Sequence, residues 1–198
     1  MRDDIRENRQ TLKELFDNIC ATDGEGIALA LDEAVESSIN MIIERPTAGG
    51  KLMFIGNGAS ASIASHMATD FWKNASIRAV AFNDISSLTC ISNDFGYKYV
   101  FEKPIEIFAD SGDVLFAISS SGRSENILLG AKSARAKGVK VITLSGFDKD
   151  NPLRRLGEIN FYVPSNCYGH VEVLHHSICH CLVDVIIKNK SRLTASLE

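Results

Sequence analysis

The sequence predicts an α/β chain: a doubly wound, five-stranded parallel sheet behind a helical N-terminal extension. Three observations predict it. From Lys51 onward, short and continuously apolar runs recur five times, as expected of strands covered on both faces. Amphipathic stretches with apolar residues three and four apart separate those runs, which is helical spacing. Residues 1–45 show the helical spacing alone.

Taken in order, Leu12, Leu15, Phe16 and Ile19 carry a first helical face, and "IALALDEAVESSINMIIE" carries a second. Asp23-Gly24 breaks the two apart, and "RPTAGG" (45–50) is a turn cluster. The chain then reads as one domain, with extension 1–45 packing in an oligomer and an α/β core over 46–198. "KLMFIG" (51–56) is a strand followed by helix 60–73. "IRAVAF" (77–82) is a strand, with a helical stretch from about Ser86. "DVLFAIS" (113–119) precedes helix 124–137, and "VKVITLS" (139–145) and "INFYVP" (159–164) are the last strands. Helix 168–189 closes the chain. Strand–helix alternation of this kind gives parallel strands with right-handed crossovers. Ligands on such sheets bind outside the carboxyl ends of the strands.

Composition narrows the function. At 198 residues, 45% hydrophobic and 23% charged, the chain can bury a full core without disulfides. A net charge of −4 argues against a nucleic-acid partner, which calls for a basic footprint. The charged N-terminus lacks the apolar core of a secretory signal, and no run of 18 apolar residues exists, so no membrane partner is expected. Five cysteines, an odd number without a CxxC pair, read as free thiols in a reducing cytoplasm.

Two strand-to-helix loops look built for an anion: "GNGASAS" (56–62) and "SSSGRSEN" (119–126). Free N–H groups and the dipole at a helix start favour negative charge. Serine hydroxyls donate to phosphate oxygens without adding charge. Ser60, Ser119, Ser120, Ser121 and Ser124 are therefore candidates to hold one phosphate. Each loop alone also fits a plainer reading, with Ser124 as a helix cap and the others as turn residues. Two such loops on neighbouring strands shift the balance to phosphate. Gly56-x-Gly58-x-x-Ala61, with Asp84 further on, loosely fits a dinucleotide fingerprint. That reading leaves the second serine loop unexplained, so no nucleotide cofactor is expected; a Walker A pattern is absent.

Four of the five histidines (His170, His175, His176 and His180) crowd into the closing helix, among Glu172, Cys179 and Cys181. With "GNGAS", a histidine at 66, "SNDFGY" (92–97), "GDVLFAISSSGRSENIL" and "VITLSG", the chain resembles the SIS-domain phosphoheptose isomerases. The resemblance covers nearly the whole chain. The serine loop alone marks the wider sugar-isomerase superfamily. It implies a flavodoxin-like doubly wound sheet in a homotetramer with sites shared between subunits. The implied reaction turns sedoheptulose 7-phosphate into D-glycero-D-manno-heptose 7-phosphate, for lipopolysaccharide or capsule. It further implies that the five serines cradle the sugar phosphate, and that Asn57 and Asp94 hold hydroxyls and the carbonyl end. His66 matches a histidine that binds zinc in some members, Asp70 falls on the catalytic glutamate and His180 on the C-terminal histidine. Glu172 stands where the family usually has glutamine, Gly169 where it often has aspartate, Ala59 for a loop glycine and Arg123 for an asparagine. Arg123 is a candidate extra phosphate contact.

Ketose–aldose isomerisation needs a base near the carbon acid, an acid for the carbonyl oxygen and stabilisation of the enediolate. Asp70 is the candidate base and His180 its partner. Aspartate is one methylene shorter than glutamate, which shifts the reactive oxygen by roughly 1 Å. His66, Asp70, Glu172 and His180 make a reasonable zinc set, one ion per subunit. Two carboxylates in that set predict firm binding and a weakened Lewis acid. Glu172 and His180 are eight residues apart, about 12 Å along a regular helix. One ion reaches both only by stretched side chains, or if the helix begins irregularly after Gly169, and the alternative is a metal-free site with Glu172 on a sugar hydroxyl. His175 and His176 read as packing or interface residues, Cys179 and Cys181 as small core hydrophobes, and Phe71 and Trp72 as packing residues. Two rival functions keep the fold without chemistry: a replication-initiator-associating SIS protein and a sugar-phosphate-binding regulator. His180 and Asn93-Asp94-Phe95-Gly96 favour the enzyme, while Asp70 is the feature against it.

Overall fold

The computed structural model describes residues 1–44 and 49–189. The expected boundary at 46 and most of the 45–50 turn cluster lie outside the described residues. The helices are α1 (Arg2–Asp17), α2 (Leu31–Ile43), α3 (Ala59–Asn74), α4 (Ile85–Asp94), α5 (Glu102–Phe108), α6 (Glu125–Ala136) and α7 (Tyr168–Lys188). The strands are β1 (Cys20–Asp23), β2 (Ala28–Leu29), β3 (Leu52–Gly56), β4 (Ala79–Ala81), β5 (Val114–Ser119), β6 (Lys140–Ser145) and β7 (Ile159–Tyr162).

One sheet runs in the order β2-β1-β7-β6-β5-β3-β4. The five expected strands are all present and pair in parallel, β4-β3-β5-β6-β7. Strand period sorts their side chains to two faces. Leu52, Phe54, Phe116, Ile142 and Leu144 pack with the helices α2, α3 and α7. Met53, Ile55, Leu115, Ala117 and Val141 pack with α5 and α6. Phe54 and Phe116 stack at 4.6 Å between ring centroids, and Phe71 of α3 leans on both. The chain leaves β3 for β4 on one side and β5 for β6 on the other. The loops after β3 and β5 therefore diverge at a switch point, where open α/β sheets bind ligands.

The N-terminal expectation needs correction. Residues 1–45 are not helical throughout: β1 and β2 form an antiparallel hairpin, and the sheet has seven strands rather than five. β1 pairs antiparallel with β7. Without it β7 would be an open edge, and covering that edge satisfies a row of backbone groups. The Asp23 carboxylate accepts from Glu25 N and Ile27 N, so Asp23-Gly24 turns a hairpin instead of ending a helix. Asn160, buried in β7, donates to Asp23 O and Gly157 O and accepts from Thr143 Oγ1 at 2.7 Å.

By length and composition α7 is apolar enough to cross a membrane. Val171, Leu174, Ile178, Leu182 and Ile186, at three- and four-residue spacing, instead bury one face of it in the core. Tyr168, Glu172, His176 and His180 lie off that face and are available to build a site.

Candidate active site

The first half of the site is made by loops. β3 ends at Gly56, and a Cβ there would lie 2.4 Å from Ser60 O. Only glycine lets the first turn of α3 fold this tightly over the strand end. Ser60 in that turn is buried, as are Ser119 and Ser120 at the end of β5. Gly122 has φ 62°, and a Cβ on it would strike Asn151, which braces the serine loop from behind. Ser124 occupies the N-cap of α6, yet its hydroxyl caps no backbone N–H and sits 3.4 Å from Ser119 Oγ.

These residues enclose a cavity of about 220 Å³. Asn57, Gly58, Ala59, Ser60, Ser119, Ser120, Ser121, Ser124, Tyr168 and Glu172 line it. The starts of α3 and α6 both border it, so two helix N-termini face one space. Among the described residues, no cationic side chain lines it. An anion there would be held by hydroxyls and helix ends, as at other helix N-termini. Asn57 is locked in place: its amide and that of Asn126 exchange two hydrogen bonds of 2.9 Å, and Tyr97 OH donates to Asn57 Oδ1 at 3.0 Å.

The second half is made by two packed helices. His66 and Asp70 share a face of α3, with His66 Nε2 3.3 Å from Asp70 Oδ2. His180 Nδ1 approaches the same carboxylate oxygen at 3.9 Å. His176 stands one turn before His180, and their rings lie 4.6 Å apart. The His66 ring is 5.1 Å from His176 and 5.4 Å from His180. One ring nitrogen from each of the three lies within 4.8 Å of the others. Burial, then the neighbouring His180 and His66, push the His176 pKa down, with Asp70 pulling the other way. Along α7, Tyr168, Glu172, His176 and His180 follow at four-residue steps, a stripe that joins the cavity to the histidines.

Residues 17–146 match the SIS domain family. Over 166 residues the chain is 36% identical to the phosphoheptose isomerase of Proteus mirabilis, covering 81% of this chain and 86% of that protein. It is 37% identical to the phosphoheptose isomerase of Yersinia pestis over 162 residues, 79% of this chain and 83% of that one. The chain belongs to the phosphoheptose isomerase family of SIS-domain proteins. Solved phosphoheptose isomerase structures agree. The enzyme from Francisella tularensis superposes with a TM-score of 0.82 at 27% identity, over 95% of this chain and 98% of that one. The enzyme from Neisseria gonorrhoeae gives 0.81 at 27%, over 93% and 98%.

Within this phosphoheptose isomerase family member, the structure gathers Asn57, Ser60, Ser119, Ser120, Ser121, Ser124 and Glu172 around one cavity. It gathers His66, Asp70 and His180 in the adjoining cluster. Glu172 stands apart from that cluster. α7 is regular from Tyr168, which leaves stretched side chains as the route by which Glu172 and His180 would share one ion. Asp94 is exposed, accepts from Asn93 Nδ2 at 2.8 Å and does not line the cavity. Arg123 reaches Asp148 rather than the cavity. Asp84, the ribose candidate of the dinucleotide reading, accepts from Ser87 N as the N-cap of α4, which lowers its pKa.

The His176 ring lies against those of His66 and His180, and among the described residues its buried Nε2 has no hydrogen-bond partner. His175 does pack: fully buried, it donates from Nε2 to Ser145 O at 3.1 Å, and burial pushes its pKa down to about 4. Cys179 is buried, its thiol pushed up to about 12, whereas Cys181 is exposed and no core residue. Phe71 is buried but Trp72 is about half exposed, at 54%. Sequence reasoning missed Tyr168, Tyr97 and Asn126. Asn126 carried a signal, since it closes the serine loop at the second residue of α6. The cluster's imidazole nitrogens with the Asp70 oxygen suit a borderline divalent ion such as zinc, so the residues present fit that cofactor.

Proposed function

We propose that the chain interconverts sedoheptulose 7-phosphate and D-glycero-D-manno-heptose 7-phosphate by proton transfer through an enediol. The observation that carries the proposal is adjacency. A serine-lined cavity borders α7 at Glu172, and His176 and His180 of the cluster with Asp70 follow one and two turns further along that helix. The phosphate sits in the cavity, on Ser60, Ser119, Ser120, Ser121 and Ser124. Asn57 holds a sugar hydroxyl, since Tyr97 and Asn126 fix its amide. The carbonyl end then faces Asp70 and His180.

Asp70 takes a proton from C1 of the ketose, and His180 protonates O2 to give the enediol. Return of a proton to C2 and loss of one from O1 gives the aldose. A positioned acid or base of this kind contributes about 10²- to 10⁴-fold in rate. Asn74 Nδ2 donates to Asp70 Oδ1 at 3.3 Å, which orients the shorter carboxylate. Zinc held beside it would polarise the carbonyl oxygen.

The working form is a homotetramer with shared sites. α1 buries none of its residues in the single chain, yet it exposes Ile5 and Phe16, an apolar face suited to a second copy. His66, at 50% side-chain exposure, leaves the cluster open on the outer side. Five free cysteines suit the cytoplasm, and the product would enter lipopolysaccharide or capsule synthesis.

Incubation with sedoheptulose 7-phosphate, followed by NMR, tests the reaction. Appearance of the aldose supports it. Binding without turnover would instead favour a sugar-phosphate-sensing regulator, and neither binding nor turnover would defeat both. Light scattering in solution tests the tetramer, and a monomer that turns over substrate would exclude shared sites.

A further inference from the structure

We propose that Tyr168 is a substrate-binding residue of the phosphate cradle: its phenol hydroxyl donates to the phosphate of the sugar phosphate, and Phe147 is the positioning residue that aims it. The inference rests on the reading of the serine cavity as a phosphate site, and it adds an aromatic donor that the two serine loops do not supply.

Tyr168 opens α7 and lines the cavity beside Ser60, Ser119, Ser120 and Ser124. It stands at the far end of the α7 stripe from the histidines, about 18 Å along the helix axis from His180. A group placed there meets the phosphate and not the carbonyl end. Among the described residues no cationic side chain lines the cavity, so neutral donors must answer the negative charge. A phenol O–H is such a donor.

The ring is 60% exposed, yet it is held. Phe147 meets it edge to face, with centroids 4.7 Å apart and planes at 74°. Phe147 itself sits in the left-handed backbone region at φ 59°, where a bulky side chain is strained. Two hydrogen bonds keep it there. Phe147 N donates to Ser165 O at 3.0 Å, and Tyr162 OH donates to Phe147 O at 2.8 Å. Gly146 N, one residue earlier, donates to Ser120 O at 2.9 Å, which ties this loop to the serine loop. Ser165 Oγ accepts from Cys167 N at 3.1 Å, next to Tyr168. The loops after β5, β6 and β7 are thus linked around one exposed tyrosine.

Stability does not account for this arrangement. An exposed aromatic pair contributes no more than a left-handed bulky residue costs. A ligand does account for it, because a ring fixed in advance loses little freedom when its hydroxyl meets a phosphate. The phosphate is unchanged by the reaction, so the contact strengthens ground state and transition state alike. Its loss appears in KM and not in kcat.

Tyr168→Phe keeps the ring and its contact with Phe147 and removes only the hydroxyl. KM for sedoheptulose 7-phosphate should rise about tenfold with kcat within about twofold, and the dissociation constant of inorganic phosphate, read by phosphorus NMR, should rise by a similar factor. Phe147→Leu stays apolar but loses the ring edge. In that background Tyr168→Phe should cost less than about threefold, because an unaimed hydroxyl has little left to lose. The full tenfold cost in both backgrounds would remove Phe147 from the positioning role. Unchanged KM and phosphate affinity in Tyr168→Phe, or a fall in kcat at constant KM, would overturn the assignment of Tyr168. So would a rise in KM in Tyr168→Ala that Tyr168→Phe does not share, since the ring would then stack and not donate. The two readings separate cleanly. Isomerisation with Tyr168→Phe equal to wild type removes this inference alone. Phosphate binding that weakens in Tyr168→Phe, without isomerisation by wild type, removes the isomerase reading alone. Wild type that binds neither inorganic phosphate nor the sugar phosphate removes both.

Discussion

The serine cavity and the histidine cluster border the same two helices, α3 and α7, but they are made of different material. The cavity is built from loop backbone, short hydroxyls and helix starts, braced by Gly56, Gly122 and the Asn57–Asn126 pair. The cluster is built from long side chains projected from two helices, with His66 half exposed and His176 carrying an unpaired nitrogen. A rigid, cation-free cradle suits the part of a substrate that does not react. An adjustable set of titratable groups suits the part that does. The division predicts that damage to the cradle appears in KM and damage to the cluster in kcat.

The largest effect expected is on the cluster. Asp70→Asn keeps the shape and removes the base, so kcat should fall by about 10²- to 10⁴-fold with KM within a few-fold, measured by NMR or coupled assay. A rise in KM at unchanged kcat would erase the contrast between the two halves.

Next in size is the contrast between His175 and His176, adjacent in sequence but on different faces of α7. The folded His175 ring stays neutral down to about pH 4 against an ordinary value of 6.5. Below pH 6.5 the unfolded chain therefore binds more protons than the folded one. The stability this group contributes is whole above pH 6.5 and is lost as the pH falls towards 4, by at most about 3 kcal/mol. Urea midpoints measured with EDTA present should fall less in His175→Met than in wild type over that window. Parallel falls would show that the ring is not buried neutral.

On the cradle side, Ser120→Ala removes one hydroxyl from the cavity wall. A hydrogen bond to a charged group is worth about 1.5–3 kcal/mol, so KM should rise at least about tenfold with kcat nearly constant. Equal losses in kcat and KM would mean that the cradle takes part in the chemistry. The smallest effect belongs to Arg123→Ala. This arginine is paired with Asp148 on the surface, and such pairs are worth about 0–1 kcal/mol. KM should stay within about twofold, and a large rise would return Arg123 to the phosphate.

Much of the cradle was legible in the sequence because its signals are local. "GNGASAS" and "SSSGRSEN" each follow an apolar run and open an amphipathic one, and no distant residue is needed to read them. The His66–Asp70 pair was legible for the same reason, since four residues on a helix return to one face. The partner of each group was not legible. Arg123 could face a phosphate or a surface aspartate, and the chain's path to Asp148 decides. Glu172 and His176 lie on one stripe of α7, and the sequence does not say which of them stands opposite His66.

By itself, then, the sequence determined the five parallel strands, their order of crossover helices, the two anion-binding loops and the i, i+4 pair on α3. These follow from periodicity and from backbone chemistry within a few residues. Tertiary structure alone decided that residues 20–23 and 28–29 are strands, because a short segment with mixed pattern takes its conformation from the open edge of β7 beside it. It also decided that His176, not Glu172, meets His66, because the packing of α3 against α7 sets which turn of one helix faces which turn of the other.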